Sequence, residues 1–175
     1  MNLTDMHFPR QLEAEGSSEI IRRELMARTT KLWSGSDIAV PVITLSESLK
    51  VVLKRARLQG RIRYGFGPII EKLDGEKKGI ANVRRQASVP YGDRASRLLL
   101  CSNDGAVRFY RHVEQVLQEH APRLLCCLLD IDGDALGHLI TGSDGVIKII
   151  MAEHKDVVSD VLRALVFGHD ETNHN

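Results

Sequence analysis

The stretch from Leu98 to Leu129 constrains the fold more than any other part of the chain. Leu98-Leu99-Leu100-Cys101 is a short, continuous apolar run, the pattern of a strand buried on both faces. Ser102-Asn103-Asp104-Gly105 supplies a turn and a helix start. Phe109, Val113, Val116 and Leu117 then recur on one side of a 3.6-residue period, and Pro122 blocks the helix just beyond His120. Leu124 to Leu129 is a second buried-type strand. A strand, a helix and a strand of these lengths predict parallel neighbours joined by a right-handed crossover.

The flanks extend the same plan. Asp132 or Asp134 is placed to cap a short helix with Leu136, Leu139 and Ile140, and Val146-Ile147-Lys148-Ile149-Ile150 reads as a third strand. Val157, Val158, Val161, Leu162, Leu165 and Val166 predict a closing helix. Upstream, Thr44-Leu45-Ser46-Glu47 has the capping-box pattern of a hydroxyl followed three residues later by Glu. It opens a helix whose apolar face is Leu45, Leu49, Val52, Leu53 and Ala56, with Gly60 as its stop. Arg61-Ile62-Arg63-Tyr64 alternates like a short strand, and Pro68 suits the first position of a helix from Ile69 to about Leu73. The expected product is a sheet with helices on both faces.

Three segments lie outside that plan. Residues 1–43 are predicted to form an extension with one helix, capped at Ser17 or Ser18, carrying Ile20, Ile21, Leu25 and Leu32 and ending near Trp33-Ser34-Gly35-Ser36. Trp33 is read as a residue that docks this extension on the main domain. Residues 74–96, polar, basic and rich in Gly, are expected to form a long loop or insert. The tail, residues 168–175, is polar and expected to fray.

The net charge of +1 hides an uneven distribution. Residues 50–97 hold 13 Lys and Arg against the four acids Glu71, Asp74, Glu76 and Asp93, and the rest of the chain is acidic. Lys50, Lys54, Arg57 and Arg61 fall on one stripe of the opening helix. With Arg63, Lys72, Lys77, Lys78, Arg84 and Arg85 they are the expected contact surface for an anionic partner. An ordinary solvated face is the competing reading.

Catalytic and metal motifs do not complete themselves. Leu128-Leu129-Asp130-Ile131-Asp132-Gly133-Asp134 approaches the hhhDxDGT motif of haloacid-dehalogenase-like phosphatases, but Asp134 stands where that motif has Thr. The remaining chain is too short for the later Lys and acids of that chemistry. Asp130, Asp132 and Asp134 also have calcium-loop spacing, yet Ala135 and Thr141 occupy the positions that require Gly and Glu. His112, His120, His138 and His154 show no metal-ligand spacing. Gly65-Phe66-Gly67 lacks the phosphate-loop pattern. Cys101, Cys126 and Cys127 are odd in number and sit in apolar runs, which fits a reducing compartment better than a disulfide framework. No secretory pattern opens the sequence, and no apolar run reaches the roughly 20 residues of a membrane span. The expectation is a non-enzymatic protein without cofactor, cytoplasmic and/or nuclear.

Over residues 44–167 the order of elements resembles a superfamily. It joins kink-turn-binding ribosomal proteins, a eukaryotic small-subunit ribosomal protein, and the growth-arrest-and-DNA-damage-inducible (Gadd) stress proteins. The residues that carry the resemblance are the helix Leu49-Lys50-Val51-Val52-Leu53-Lys54-Arg55-Ala56, the basic link into Gly65, and Ile69-Ile70-Glu71-Lys72-Leu73. The strand and turn Leu98 to Asp104, the helix ending Glu119-His120, and Ala135-Leu136-Gly137-His138-Leu139 complete it. The resemblance implies a three-layer α-β-α sandwich with a mixed sheet of about four strands. Kink-turn binders in the superfamily carry G-x-N-E-x-x-K; here Gly67 and Pro68 stand at the Asn and Glu positions, which points to the other two branches. The Gadd branch implies a regulatory adaptor in stress response or growth control that binds kinases or cell-cycle factors and self-associates. The ribosomal branch implies contact with structured RNA through the basic residues 50–97.

Overall fold

The computed structural model describes residues 1–87 and 93–168. Its N-terminal part contains α1 (Arg10–Ala14), α2 (Ser18–Ala27), β1 (Thr29–Lys31) and β2 (Ala39–Ile43). The remainder runs α3 (Glu47–Leu58), β3 (Ile62–Tyr64), α4 (Phe66–Ala87), β4 (Arg97–Cys101), α5 (Val107–His120), β5 (Leu124–Leu129), α6 (Gly133–Thr141), β6 (Ile149–Ala152) and α7 (Lys155–Phe167). The strands form a six-stranded mixed sheet in the order β1-β2-β5-β4-β6-β3. β4 and β5 are parallel neighbours linked by α5, with Leu99 opposite Cys126 and Leu100 opposite Cys127. β6 runs antiparallel between β4 and β3.

Alternation along the strands divides the core in two. Leu98, Leu100, Leu125, Cys127, Leu129, Ile150 and Ala152 face one side, where Leu12, Ile21, Leu25, Leu49, Leu53, Leu136, Val158 and Leu162 cover them. Leu99, Cys101, Leu124, Cys126, Ile149 and Met151 face the other, under Ile69 and Leu73 of α4 and Val113, Val116 and Leu117 of α5. Both faces of the sheet are thus roofed by helices, which fits the apolar make-up of β5, β6 and β4 beyond Arg97.

The mixed α/β class agrees with the sequence reading; its details differ in four places. The sheet has six strands rather than about four. The two additional strands come from the segment read as an extension: β2 pairs in parallel with β5, and β1 pairs antiparallel with β2. That segment holds two helices rather than one, α2 ending at Ala27 where the chain enters β1 instead of continuing to Leu32. Phe8, Leu12, Ile21 and Leu25 are fully buried in the main core, so this segment is structurally continuous with the rest. The third strand of the sequence reading lies slightly later, over Ile149–Ala152.

The fourth difference concerns residues 74–96. Asp74 to Ala87 continue α4 rather than forming a loop. Gly75 and Gly79 do not interrupt it, because Glu76 meets Arg97 and Arg123 and Lys77 donates to the Glu119 carbonyl. Residues 88–92 and the tail beyond Gly168 lie outside the described residues, so the expected frayed tail falls there almost entirely.

Local signals explain most helix ends. Ser46, not Thr44, caps α3 by accepting the Leu49 N–H at 3.1 Å. That helix closes with Gly60 at φ 71°, the Arg61 N–H on the Ala56 carbonyl and the Gly60 N–H on that of Arg57. Asp132 caps α6 by accepting the Ala135 N–H at 2.8 Å. Trp33 docks as expected, its indole N–H donating to Glu114 at 2.6 Å under the Arg111 guanidinium.

Candidate partner-binding groove

On α3 the helical period sends Leu49, Leu53 and Ala56 into the core and leaves Lys50, Lys54 and Arg57 on an outward stripe. On α6, Leu136 and Ile140 are buried, while His138 and Thr141 face outward and Leu139 is half-buried. The two helices pack side by side. Between them lies a groove of about 670 Å³. Its apolar surface comes from Leu45, Leu58, Ile131, Ala135, Leu139 and Ile140, and Lys50, Lys54 and Arg57 stand along the α3 wall. His138, Thr141 and Gly142 complete the α6 wall.

The charge on the α3 wall is only partly balanced. Lys50 pairs with Glu47 at 2.7 Å and holds that carboxyl below its ordinary range, chiefly through the hydrogen bond. Lys54 is exposed and has no hydrogen bond or ion pair among the described residues. Arg57 lies 5.7 Å over the Tyr64 ring, and its buried Nε–H has no acceptor. Leu58, 89% exposed, projects at the same end, and Val51 is exposed on the outer side of α3. An exposed Leu beside cations that are only partly balanced suits a partner with both apolar and acidic groups.

The remaining basic residues do not join this surface. Arg61 stands 4.0 Å from Asp156, and Arg63 is held by Glu153 at 2.6 Å, a hydrogen bond that retains its proton more firmly than usual. Lys72, Lys77, Lys78, Arg84 and Arg85 belong to α4, which covers the opposite face of the sheet. Several of them are engaged: Lys72 with Glu76 at 3.9 Å, Lys77 with the Glu119 carbonyl at 3.1 Å, and Arg84 with Asp93 at 2.9 Å. The basic segment is therefore divided between two faces and is not one continuous anion-binding surface.

Of the residues considered for chemistry, His120 lies 3.3 Å from an Asp74 carboxylate oxygen, whereas the three aspartates after β5 occupy separate structural positions. Asp130 closes β5 and pairs with Arg28 at 3.2 Å, Asp132 caps α6, and Asp134 is exposed in the first turn of that helix. The three cysteines are free and buried. Its hydrogen bond to Cys126, with burial, pushes the Cys101 thiol well above the usual range; burial does the same to Cys127. Among the described residues no helix is long and apolar enough to cross a membrane.

Sequence reasoning found the α3 stripe and named Leu136, Leu139 and Ile140 on α6, but not that the two helices lie side by side and form a groove. Leu136 and Ile140 mark the buried side of α6, and the half-buried Leu139 beside exposed His138 marks its edge toward the groove.

No family model and no curated protein matches the chain. A solved structure of a protein with unknown function from Bacillus halodurans C is similar over 70% of this chain and 98% of its own, with 11% identity and a TM-score of 0.43.

Proposed function

We propose that this chain is a non-enzymatic regulatory adaptor of the Gadd-like kind, and that it seats an acidic, apolar segment of a partner protein between α3 and α6. The observation that carries the reading is the groove itself: an apolar floor, an exposed Leu58, and Lys50, Lys54 and Arg57 along one wall. The apolar floor supplies affinity, and the cations select an acidic partner and speed encounter.

The arrangement within residues 44–167 supports the finer fold assignment made from the resemblance. β3 to β6 form a mixed group, with α3 and α7 on one face and α4 and α5 on the other. Kinases or cell-cycle factors, in the cytoplasm or nucleus, are the partner class that goes with this assignment. Structured RNA is the rival partner. It is less well supported, because tracking a phosphate backbone calls for contiguous cations, and here the basic residues occupy two faces.

The test uses the immobilised full chain in nuclease-treated extract, compared with a Lys54→Glu/Leu58→Asp variant. Both residues are exposed, so the variant keeps its core. Proteins retained after nuclease and lost with the variant are expected. Partners that disappear with nuclease treatment, and are indifferent to the variant, would overturn the reading in favour of RNA.

A further inference from the structure

We propose that Asp74, Glu119 and His120 form a binding site for one divalent metal ion of the zinc class, which fastens α4 to the C-terminal end of α5. One ligand atom from each residue lies within 4.8 Å of the other two, and His120 Nε2 is 3.3 Å from an Asp74 carboxylate oxygen. Ligand atoms around a tetrahedral ion with bonds of about 2.0 Å are about 3.3 Å apart, so His120 and Asp74 already have the required separation. Glu119 is exposed and needs only a side-chain adjustment to close on the same point.

The surroundings favour a cation there. Glu119 and His120 are the last two residues of α5, the negative end of that helix's dipole, where the Glu119 carbonyl accepts from Lys77 and the His120 carbonyl from the Arg123 N–H. His120 is 7% exposed, which limits its freedom and presents the imidazole at a set position, while Asp74 and Glu119 reach it from the solvent side. A cleft of about 220 Å³ adjoins the group and leaves room for a water as fourth ligand.

Three basic residues line that cleft, and each has another acceptor. Lys77 donates to the Glu119 carbonyl at 3.1 Å, Arg84 to Asp93 at 2.9 Å, and Arg123 to Glu76 at 3.2 Å.

Such an ion would add to the contacts of Glu76 and Lys77 in holding this part of α4. Gly75 and Gly79 sit inside that helix with open space where a side chain would be, so neither is required by close packing. Each lowers the helix's own stability. A metal bridging Asp74 to the end of α5 would offset part of that loss alongside the Glu76 contacts. The site is on the opposite face of the sheet from the α3–α6 groove, so its success or failure is independent of the adaptor reading.

The experiment titrates zinc chloride into the full chain after removal of metal by a chelator, with calorimetric readout. Asp74→Asn, Glu119→Gln and His120→Gln are run alongside. One saturable equivalent is expected, together with slower proteolysis within residues 74–87. Losing even an outer-shell partner lowers metal affinity 10–100-fold, so each variant should weaken binding by about tenfold or more. Asp74 and Glu119 are exposed, so those two variants remain informative if His120→Gln folds poorly. Absence of saturable uptake, or uptake unchanged in Asp74→Asn and Glu119→Gln, would overturn the proposal.

Discussion

Arg97 holds Glu76 with a forked pair of hydrogen bonds, Nε at 3.0 Å from one carboxylate oxygen and Nη2 at 2.9 Å from the other. The side chains are 16% and 15% exposed, and Arg123 adds a contact at 3.2 Å. This contact ties the middle of α4 to the first residue of β4 and to the turn before β5. Two guanidinium groups thus share one largely buried carboxylate.

Removing that carboxylate alone leaves Arg97 and Arg123 without their shared acceptor. Breaking a buried pair on one side typically costs about 3–5 kcal/mol. Glu76→Gln is therefore expected to lower the free energy of unfolding by about 3 kcal/mol in urea titration, with Glu76→Ala losing no less. An effect under about 0.5 kcal/mol would mean that the pair is solvated like an ordinary surface contact.

That same contact explains what was legible in the sequence. The β4–α5–β5 unit could be read directly, because each of its elements carries its own period and its ends are marked by Gly105 and Pro122. The second half of α4 could not. Gly75, Gly79 and a run of lysines describe a loop locally, and the helix is held by residues 21 and 47 positions away. β2 was missed for a similar reason: Pro41 interrupts a short apolar run whose strand identity comes from pairing with β5, far along the chain. In the groove, the basic stripe of α3 was visible from spacing within one helix. The apolar residues of α6 were visible too, but its place beside α3 was not, since α6 lies about 80 residues later.

Residues 1–43 are expected to be indispensable. Phe8, Leu12, Ile21 and Leu25 are buried in the main core, and burying each such side chain contributes about 1.5–3 kcal/mol. Their combined loss is comparable with the whole stability of a typical domain, about 5–15 kcal/mol. A chain starting at residue 44 should show weak near-ultraviolet circular dichroism and bind a hydrophobic dye. Cooperative unfolding by that fragment would show that the segment is a dispensable appendage.

Acid sensitivity should have an identifiable contributor in Asp104. The hydrogen bond from Lys148, followed by smaller contributions that include the Gly133 N–H, holds its carboxyl below the usual range. A depressed folded-state value means that its stabilisation is complete above the unfolded value, about 3.9, and disappears as pH falls through the folded one. Asp104→Asn is accordingly expected to lose less stability than the wild-type chain between neutral pH and about pH 3. Parallel stability–pH curves for the two proteins would remove Asp104 from the account.

The most direct measurement concerns the groove between α3 and α6. A random peptide library is selected on the full chain, and the enriched peptides are titrated by fluorescence anisotropy against wild type and the Lys54→Glu/Leu58→Asp variant. A structured RNA is titrated in parallel at two salt concentrations. Acidic, apolar peptides that weaken with salt and lose about tenfold or more in affinity on the variant are the predicted result. Peptides that bind both proteins equally, or RNA binding that is tight and falls steeply with salt, would contradict it.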